Sequence, residues 1–225
     1  MKSDRGVLYI VWGDGAEGAL ARSRDSLKTH HPELPVHVER LGDGATLLDK
    51  ARMGELTPYQ ETLYLDADTV VLGRLDFAFD KAAGAGLACA ICECPWARRY
   101  GGLAGEMVEY NTGVMFFNAK AKGLFEAWKK AAHEVDSSIV FASGEGEYAR
   151  MPLNDQAGFA QAVDETDFRP FVLPLNWNFR PRWHKSWFGP IKVWHDYQDV
   201  PAALVEQNAR QADEDAAVAF SVLTS

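Results

Sequence analysis

The sequence predicts an α/β fold in which helices flank a mostly parallel central sheet. Short apolar runs of strand length alternate with stretches of helical periodicity through the first half of the chain, a pattern typical of parallel sheets covered on both faces. The 225 residues are 47% hydrophobic and 24% charged, which suits one sizeable core and excludes a disordered or fibrous chain. No internal repeat, low-complexity tract or long linker divides the sequence. We therefore expect one domain over residues 1–225, with residues 201–225 as a helical, polar C-terminal tail.

The elements of the first half follow from apolar periodicity and from residues that stop helices. A buried strand, Val7–Trp12, leads through the tight turn Gly13-Asp14-Gly15 into a helix whose apolar residues recur every three or four positions. A second helix is predicted over Thr46–Leu56, because Thr57-Pro58 stops it. The other strands predicted in this half are Pro35–Glu39, Glu61–Leu65 and Leu87–Ile91.

The second half continues the alternation. Asn118 is a suitable N-cap for a helix over Ala119–Val135, in which Leu124, Trp128 and Val135 lie on one apolar stripe. We expect the later strands to run antiparallel at the edge of the sheet. The remaining predicted elements are the strands Gly113–Phe117, Phe171–Leu173 and Ile191–Trp194 and the helices Asn154–Val163 and Pro201–Ala212.

Charge and cysteine content limit which partners and which cellular compartment we expect for the protein. Lys and Arg number 23 against 32 Asp and Glu, a formal net charge of -9, so neither nucleic acid nor an anionic membrane surface is an expected partner. The first apolar run, Val7–Trp12, is too short for a signal peptide or a membrane span. Cys89, Cys92 and Cys94 are too few and too close for a disulfide framework and lack a fourth zinc ligand nearby. We therefore expect a cytoplasmic protein with ordinary buried thiols.

The stretch YLDADTVVLG places Asp66 and Asp68 directly after an apolar strand. Residues i and i+2 of an extended segment point to one side about 6.6 Å apart, so both carboxylates can share a hard divalent cation. Ligands bind beyond the carboxyl ends of strands in such sheets, which favours a functional site. Asp213 and Asp215 have the same spacing, but no strand precedes them, and we interpret that pair as a solvated charge run.

Two reaction classes use a D-x-D motif carried by a strand. In a haloacid-dehalogenase-type phosphatase, Asp66 would be the nucleophile and Asp68 the general acid, with Val70 completing the motif. That class normally carries the motif on its first strand and needs a later acidic pair, which we do not find. In glycosyl transfer from a nucleotide sugar, an ion bridges the diphosphate and neutralises charge on the leaving group.

Several stretches, taken in order, resemble the glycogenin-type (family 8 type) retaining glycosyltransferases of the GT-A, or nucleotide-diphospho-sugar transferase, fold. The resemblance spans nearly the whole chain, and an ordered set of motifs is more specific than any one of them. The stretches are Gly18–Leu20 with Ser26, Leu27 and His30; Asp49–Tyr59 with the lysine-bearing helix; YLDADTVVL; Asn111–Val114; Asn154–Gln156; Leu173–Asn178; and Ile191–His195.

The resemblance implies a role for each matching position. Asp66, Asp68 and His195 would hold Mn²⁺ or Mg²⁺. The donor would be a nucleotide sugar, with a UDP-sugar expected from the family, and the acceptor is an unknown glycan, protein or small molecule. The resemblance also implies that the leaving phosphate assists the incoming hydroxyl on the same face, which requires no strong protein base and fits an amide at the reacting centre. The implied catalytic residues are Gln156 and, if a carboxylate acts, Asp155; the implied substrate-binding residues are Trp12, Gly13, Lys50, Asn111, Thr112, Gly113, Trp177 and Asn178.

The chain departs from this family in two places. The family follows its metal-binding histidine with Gly-x-x-Lys-Pro-Trp, a phosphate clamp that Asp196–Pro201 does not reproduce. Arg180 or Arg182 is the candidate replacement. The tyrosine that the family places against the nucleobase falls near Ala16, which leaves the base open.

Several alternatives stay open at the level of sequence. His184 is a rival metal ligand, and the aromatic cluster is either an acceptor platform or plain packing. The protein as a whole is alternatively the phosphatase, a sugar nucleotidylyltransferase or a catalytically inactive nucleotide- or glycan-binding relative. A nucleotidylyltransferase requires a Gly-rich loop with Arg and Lys directly after its first strand, and the corresponding stretch here, VWGDGAEGALARS, lacks such a loop. The aromatic cluster consists of Trp177, Phe179, Trp183, Trp187 and Phe188.

Overall fold

The computed structural model describes residues 4–93, 107–142, 148–213 and 219–223. The strands are β1 Arg5–Val11, β2 Val36–Arg40, β3 Glu61–Leu65, β4 Thr69–Val71, β5 Leu87–Ile91, β6 Tyr110–Asn118, β7 Ile139–Ala142, β8 Tyr148–Met151, β9 Phe171–Leu173, β10 Ser186–Phe188, β11 Val193–His195 and β12 Phe220–Val222. The α-helices are α1 Glu17–His30, α2 Met53–Leu56, α3 Asp76–Ala85, α4 Lys122–Glu134, α5 Asp155–Glu165 and α6 Ala202–Asp213. Short 3₁₀ helices cover Leu47–Arg52, Ala119–Ala121 and Leu175–Asn178.

The central sheet has six strands in the order β2-β1-β3-β6-β5-β9. β1 pairs in parallel with both β2 and β3, and β5 pairs in parallel with β9. β6 runs antiparallel to both of its neighbours, β3 and β5. The predicted mostly parallel α/β sheet is therefore confirmed, but the reversed strand lies inside the sheet and not at its edge, as we had expected.

The reversed strand explains where the functional residues meet. Because β6 is antiparallel, it begins at the sheet edge where β1 and β3 end. Leu65 at the end of β3 pairs with Val114, and the Asp66 amide donates to the Gly113 carbonyl at 2.8 Å. The residues that follow β3 and the residues that open β6 consequently lie side by side.

The two faces of the sheet are covered by separate apolar layers. Along β1, Val7 and Tyr9 join the layer that also holds Leu20 of α1. The intervening Leu8 joins the opposite layer, which holds Trp128 of α4. This alternation follows from the period of two in an extended strand, and it fixes β1 as a strand buried on both faces.

Local sequence explains several boundaries. Asn118 accepts from the Lys120 amide at 2.9 Å, so the predicted cap is present, although a 3₁₀ turn precedes α4. The expected helix over Thr46–Leu56 is a 3₁₀ helix followed by the short α2, with a capping box formed by Thr46 and Asp49.

Other features of the chain differ from or extend the expectations. α3 was not predicted, and the strand predicted at Ile191–Trp194 is β11, two residues later at its start. Cys89 is fully buried, Cys92 is partly exposed, and Cys94 lies outside the described residues. Within the residues that the structure describes, no helix is both long and apolar enough to cross a membrane.

Candidate active site

Asp66, Asp68 and His195 converge at the carboxyl edge of the sheet. Each offers a ligand atom, and these atoms lie within 4.8 Å of one another. β11 pairs antiparallel with β4, which places His195 opposite Thr69. His195 therefore lies beside the loop between β3 and β4, which carries both aspartates. His195 Nε2 lies 3.3 Å from Asp68 Oδ1 and 3.7 Å from Asp66 Oδ2. We name these three residues the acidic triad.

Glycine at position 113 is required by the close packing around the acidic triad. A Cβ on Gly113 would lie 2.3 Å from His195 Cε1 and 2.6 Å from Asp66 Oδ2. Real Cβ atoms do not approach other atoms so closely, so any side chain at this position would displace the imidazole or the carboxylate. The glycine thus allows β6 to lie directly against two of the three potential ligands.

A chain of amides fixes the ring of His195. Nδ1 of the imidazole lies 2.7 Å from Asn178 Oδ1, and Asn178 Nδ2 donates to Asn111 Oδ1 at 2.6 Å. The Gly113 amide donates to the same Asn111 oxygen at 2.8 Å. Since an amide oxygen can only accept, Nδ1 carries the proton and Nε2 points toward the carboxylates, which is the arrangement of metal-ligating histidines.

The acidic triad attracts positive charge. Burial opposes a charged imidazole, but the Asp68 and Asp66 carboxylates outweigh it and raise the pKa of His195 above its ordinary value. Burial likewise works against ionised Asp68, yet the attraction of His195 lowers the pKa of that carboxyl to about 2. Carboxylates and imidazoles are common ligands of divalent metal ions, so the residues present fit such an ion.

Lys50 occupies the centre of a buried ionic cluster beside the acidic triad. The side chain is 3% exposed, and its Nζ lies 2.9 Å from Asp66 Oδ1 and 3.2 Å from Asp155 Oδ2. Thr112 donates to Asp155, and the Tyr64 hydroxyl donates to Asp66 Oδ1 at 2.6 Å. Burial opposes the ammonium, but the two carboxylates raise the pKa of Lys50 above its usual value and keep it charged.

Asp155 and Gln156 open α5 at the same edge. Asn154 caps the helix by accepting from the Gln156 amide at 2.8 Å, so neither Asp155 nor Gln156 serves as the cap. Both side chains are buried, and Trp128 Nε1 donates to the Asp155 carbonyl at 3.1 Å. α5 therefore presents a carboxylate to Lys50 and an amide to the next group along the edge.

That next group consists of Cys92, Glu93, Glu109 and Arg180, of which only Arg180 was given a possible site role from the sequence. Gln156 Nε2 lies 3.8 Å from Cys92 Sγ, and an Arg180 nitrogen lies 3.3 Å from the same sulfur. Arg180 Nε also pairs with Glu93 Oε1 at 2.8 Å. Arg180 is thus engaged by Glu93 and Cys92, which weakens the idea that it replaces the phosphate clamp.

Glu109 is the second acidic residue of this group. It is 4% exposed, and neither carboxylate oxygen has a hydrogen-bond partner in the part of the chain that the structure describes. Burial, with a smaller effect from Cys92 and against the attraction of Arg180, raises the pKa of Glu109 to about 8. One feature of the sequence could have pointed to Glu109. It lies two positions before Asn111, so the two side chains point to the same side of an extended segment.

A cavity of about 490 Å³ adjoins the acidic triad on the side of β1. Trp12 and Tyr197 line it, and the neighbouring turn contains Gly13 with φ 65°. A positive φ favours glycine, so this residue lets the chain turn sharply at the end of β1. The lining residues are Ile10, Val11, Trp12, Gly15, Ala16, Leu47, Asp66, Ala67, Asp68 and Tyr197.

The structure does not bring Trp177 to this edge. Its ring is 8% exposed and packs against Phe77 and Phe116 in the core. Of the proposed aromatic platform, Phe179 and Trp187 are also buried, with their ring centroids 5.2 Å apart. Most of the cluster is therefore packing.

The remaining candidates also have other contacts. The His184 ring packs against Phe179, with centroids 5.7 Å apart, and lines a different cavity with Trp187. Arg182 lies over the Trp183 ring at 5.6 Å. Neither residue is among those that meet at the acidic triad.

A second group, His31, Glu33 and Asp76, also has atoms close enough to hold an ion. Here the hydrogen bonds are already complete. His31 Nδ1 lies 3.0 Å from Glu33 Oε1, and the Leu75 amide donates to Nε2 at 2.9 Å. Arg74 pairs with Glu33 at 3.1 Å and with Asp76 at 2.8 Å. Arg74 supplies the cation, so this group is structural.

The fold is that of the GT-A glycosyltransferases. A solved structure of the galactosyltransferase LgtC, in complex with donor and acceptor sugar analogs, matches with a TM-score of 0.55 at 14% identity, covering 92% of this chain and 94% of that one. Mouse xyloside xylosyltransferase 1 matches with a TM-score of 0.58 at 14% identity over 88% of this chain and 100% of that one.

A third solved structure supports the same fold. A glycosyltransferase involved in the glycosylation of the major capsid of PBCV-1 matches with a TM-score of 0.52 at 12% identity, covering 92% of this chain and 98% of that one. No protein-family model and no curated protein matches the sequence. At these identities the likeness establishes architecture, and any activity must be argued from the site.

Proposed function

We propose that this chain is a metal-dependent glycosyltransferase, acting as one domain, that moves a sugar from a nucleotide-diphosphate sugar to an acceptor hydroxyl with retention. The observation that carries the proposal is the meeting of three residue sets from separate elements at one sheet edge. Asp66 and Asp68 come from the loop between β3 and β4, and His195 comes from β11. Asn111–Gly113 lies at the start of β6, and Asp155–Gln156 opens α5. The GT-A fold supports the same conclusion.

The acidic triad would hold Mn²⁺ or Mg²⁺. When bound, such an ion neutralises negative charge that develops on a departing diphosphate. The chain's own contribution is to fix the ligands: Asn178 orients the imidazole, and Tyr64 with Lys50 orients the carboxylate of Asp66.

The cavity beside β1 is the proposed nucleoside site. Among the described residues that line it none is Lys or Arg, while Asp66 and Asp68 both line it. A nucleoside diphosphate would meet two carboxylates there and, in the part of the chain that the structure describes, no lysine or arginine, so its binding should depend strictly on the metal ion. A uridine nucleotide is the expectation from the family resemblance.

The sugar would lie between the acidic triad and α5. Asp155 is engaged by Lys50 and Thr112, which supports a role in positioning them and disfavours a role as nucleophile. Gln156 borders Cys92, whereas Asp155 contacts Lys50, so we assign Gln156 to the acceptor side. Retention would then proceed with the leaving phosphate accepting the proton of the acceptor hydroxyl.

The phosphatase alternative finds less support. Asp66, the would-be nucleophile, accepts from Tyr64 and Lys50 and faces His195 across the ion site. Those contacts suit a ligand that is held in place. The motif also follows β3, the third strand of the chain, and the fold matches glycosyltransferases.

Binding of UDP in the presence of Mn²⁺, measured by calorimetry, tests the proposal. We expect the wild-type chain to bind, chelation of Mn²⁺ to abolish binding, and Asp68→Asn to abolish it without lowering the melting temperature by more than a few degrees. Asp215→Asn, the matching position of the other D-x-D, is the control and should bind normally. Equal UDP affinity in Asp68→Asn and wild type would refute the metal assignment, and hydrolysis of a phosphate ester lost in Asp66→Asn would favour the phosphatase.

A further inference from the structure

Tyr197 is an exposed aromatic residue at the edge of the proposed nucleoside site. Its side chain is 72% exposed, the largest value among the large hydrophobic residues that the structure describes. It lines the same cavity as Trp12, Ala16, Asp66 and Asp68. A ring left in water at the mouth of a cavity has apolar surface available for a ligand.

The backbone that carries Tyr197 is held rigidly. Arg22 of α1 donates to the carbonyls of Asp196 at 2.7 Å, Tyr197 at 3.0 Å and Gln198 at 3.1 Å. The same guanidinium pairs with Asp199 at 3.2 Å. One arginine therefore fixes four consecutive residues, and the exposed ring stands on a backbone that does not need to be ordered when a ligand binds.

Two further bonds tie this segment to the acidic triad. The Asp196 amide donates to the Asp68 carbonyl at 3.0 Å, and Trp194 Nε1 donates to the Gln198 carbonyl at 3.1 Å. The backbone that carries Tyr197 is thus hydrogen-bonded to the loop that carries Asp68, a proposed metal ligand.

The chemistry of the cavity identifies what lies against the ring. Asp66 and Asp68 suit a metal-bound anion, whereas Ile10, Val11 and Leu47 supply apolar surface, and no lysine or arginine is among the lining residues that the structure describes. A ligand that fills this cavity would carry an anionic part held through an ion and a planar or apolar part against the remaining lining. A nucleoside diphosphate has both.

Building on the proposed function, we propose that Tyr197 is the aromatic platform against which the nucleobase of the donor stacks. Stacking would add binding energy that the family obtains from its phosphate clamp, which this chain lacks. Tyr197 lies in Asp196–Pro201, the segment that stands where the family has that clamp. Every base presents a π-face, so stacking on Tyr197 sets affinity and leaves base selection to hydrogen bonds elsewhere in the cavity.

The test compares calorimetric binding of UDP, GDP, ADP and inorganic pyrophosphate, each with Mn²⁺, in three variants. We expect Tyr197→Ala to weaken every nucleoside diphosphate that the wild type binds by at least about five-fold, the lower end for loss of a base stack. Pyrophosphate, which has no base, should bind unchanged. Tyr197→Phe keeps the ring and should bind like the wild type. Phe188→Ala removes a 64% exposed ring outside the cavity and is the matched control.

Each other result has a defined meaning. Unchanged nucleotide affinity in Tyr197→Ala would overturn the inference while the proposed function stands. The inference would also be overturned if Tyr197→Ala weakened pyrophosphate binding as much as nucleotide binding, or if Tyr197→Phe lost as much affinity as Tyr197→Ala. Either result would mean that the Tyr197 hydroxyl contacts the phosphates. Absence of Mn²⁺-dependent binding of every nucleoside diphosphate by the wild type would instead reject the proposed function, and the inference with it. Far-ultraviolet circular dichroism confirms that each variant is folded.

Discussion

At the scale of single residues, Lys50 decides the charge balance of the candidate site. It is buried between Asp66 and Asp155, and removing one partner from a buried ion pair leaves an uncompensated charge. The family resemblance implied that Lys50 contacts the donor. The structure adds a second reason for a lysine here, because its ammonium allows two carboxylates to be buried beside each other.

We predict that Lys50→Met lowers the free energy of unfolding by about 3–5 kcal/mol, as is typical when one partner of a buried pair is lost. The double variant Lys50→Met/Asp155→Asn should recover part of that loss, because it also removes a stranded carboxylate. Urea denaturation monitors both. Lys130→Met is the control, since that side chain is 69% exposed and exposed pairs contribute about 0.2–1 kcal/mol.

A Lys50→Met variant as stable as the wild type would show that the ammonium does not hold the two carboxylates. Equal destabilisation of the single and double variants would show that the stranded charge of Asp155 is not the cause. In either case the assignment of Asp155 as a positioning residue for Lys50 would be wrong.

At the scale of elements, α5 reaches the site because it packs tightly on α4. A Cβ on Gly158 would lie 2.9 Å from the Ala132 amide nitrogen and 3.0 Å from its Cα. These are backbone atoms, which cannot rotate away, so a side chain there forces the two helices apart. The first turn of α5 carries Asp155 and Gln156, and the helix contact therefore sets their depth.

We predict that Gly158→Ala lowers the free energy of unfolding by about 1–3 kcal/mol, the usual cost of overpacking, and reduces transfer activity as well. Gly84→Ala in α3 is the matched control, because nothing lies within 4 Å of its added Cβ. There the higher helix propensity of alanine should stabilise the protein by up to about 1 kcal/mol. Thermal denaturation of both variants checks the opposite signs, and stabilisation of Gly158→Ala would contradict the packing argument.

The elements also show which parts of the fold a sequence can reveal. β1 and β3 were predictable because continuous apolar runs mark strands buried on both faces. The central place of the reversed β6 was not, since apolar periodicity carries no information about strand direction. α3 was missed because it begins at Asp76 with no polar cap and is only ten residues long. Short strands such as β10 depend on a distant partner, β12, for pairing.

At the scale of the whole molecule, an ordered series of motifs predicted the candidate site better than any local pattern. Asp66, Asp68 and His195 were named from sequence and lie together in the fold. Glu109 and Tyr197 were not named, because a lone acid before a strand and a lone tyrosine after a histidine have no distinctive spacing. Their significance comes from burial in one case and exposure in the other, which only the folded chain defines.

The burial of Glu109 should also govern how the stability of the whole protein depends on pH. Its pKa is raised from 4.5 to about 8, so the folded protein binds a proton that the unfolded chain has lost. The unfolding free energy contributed by this group therefore falls as pH rises from about 4.5 to 8, with no further change above that window. We predict that Glu109→Gln, which cannot ionise, is more stable than the wild type at pH 9 and that this advantage shrinks toward pH 5.

The measurement is the melting temperature of both proteins across pH 5–9, with exposed Glu206→Gln as the control for loss of one surface carboxylate. Titration of His195 and Asp68 affects the wild type and the variant alike, so the difference between the two curves isolates Glu109. A difference that is constant across the range would mean that Glu109 titrates as an ordinary carboxyl. It would then be ionised at neutral pH, and the group that it forms with Cys92, Glu93 and Arg180 would carry one more negative charge.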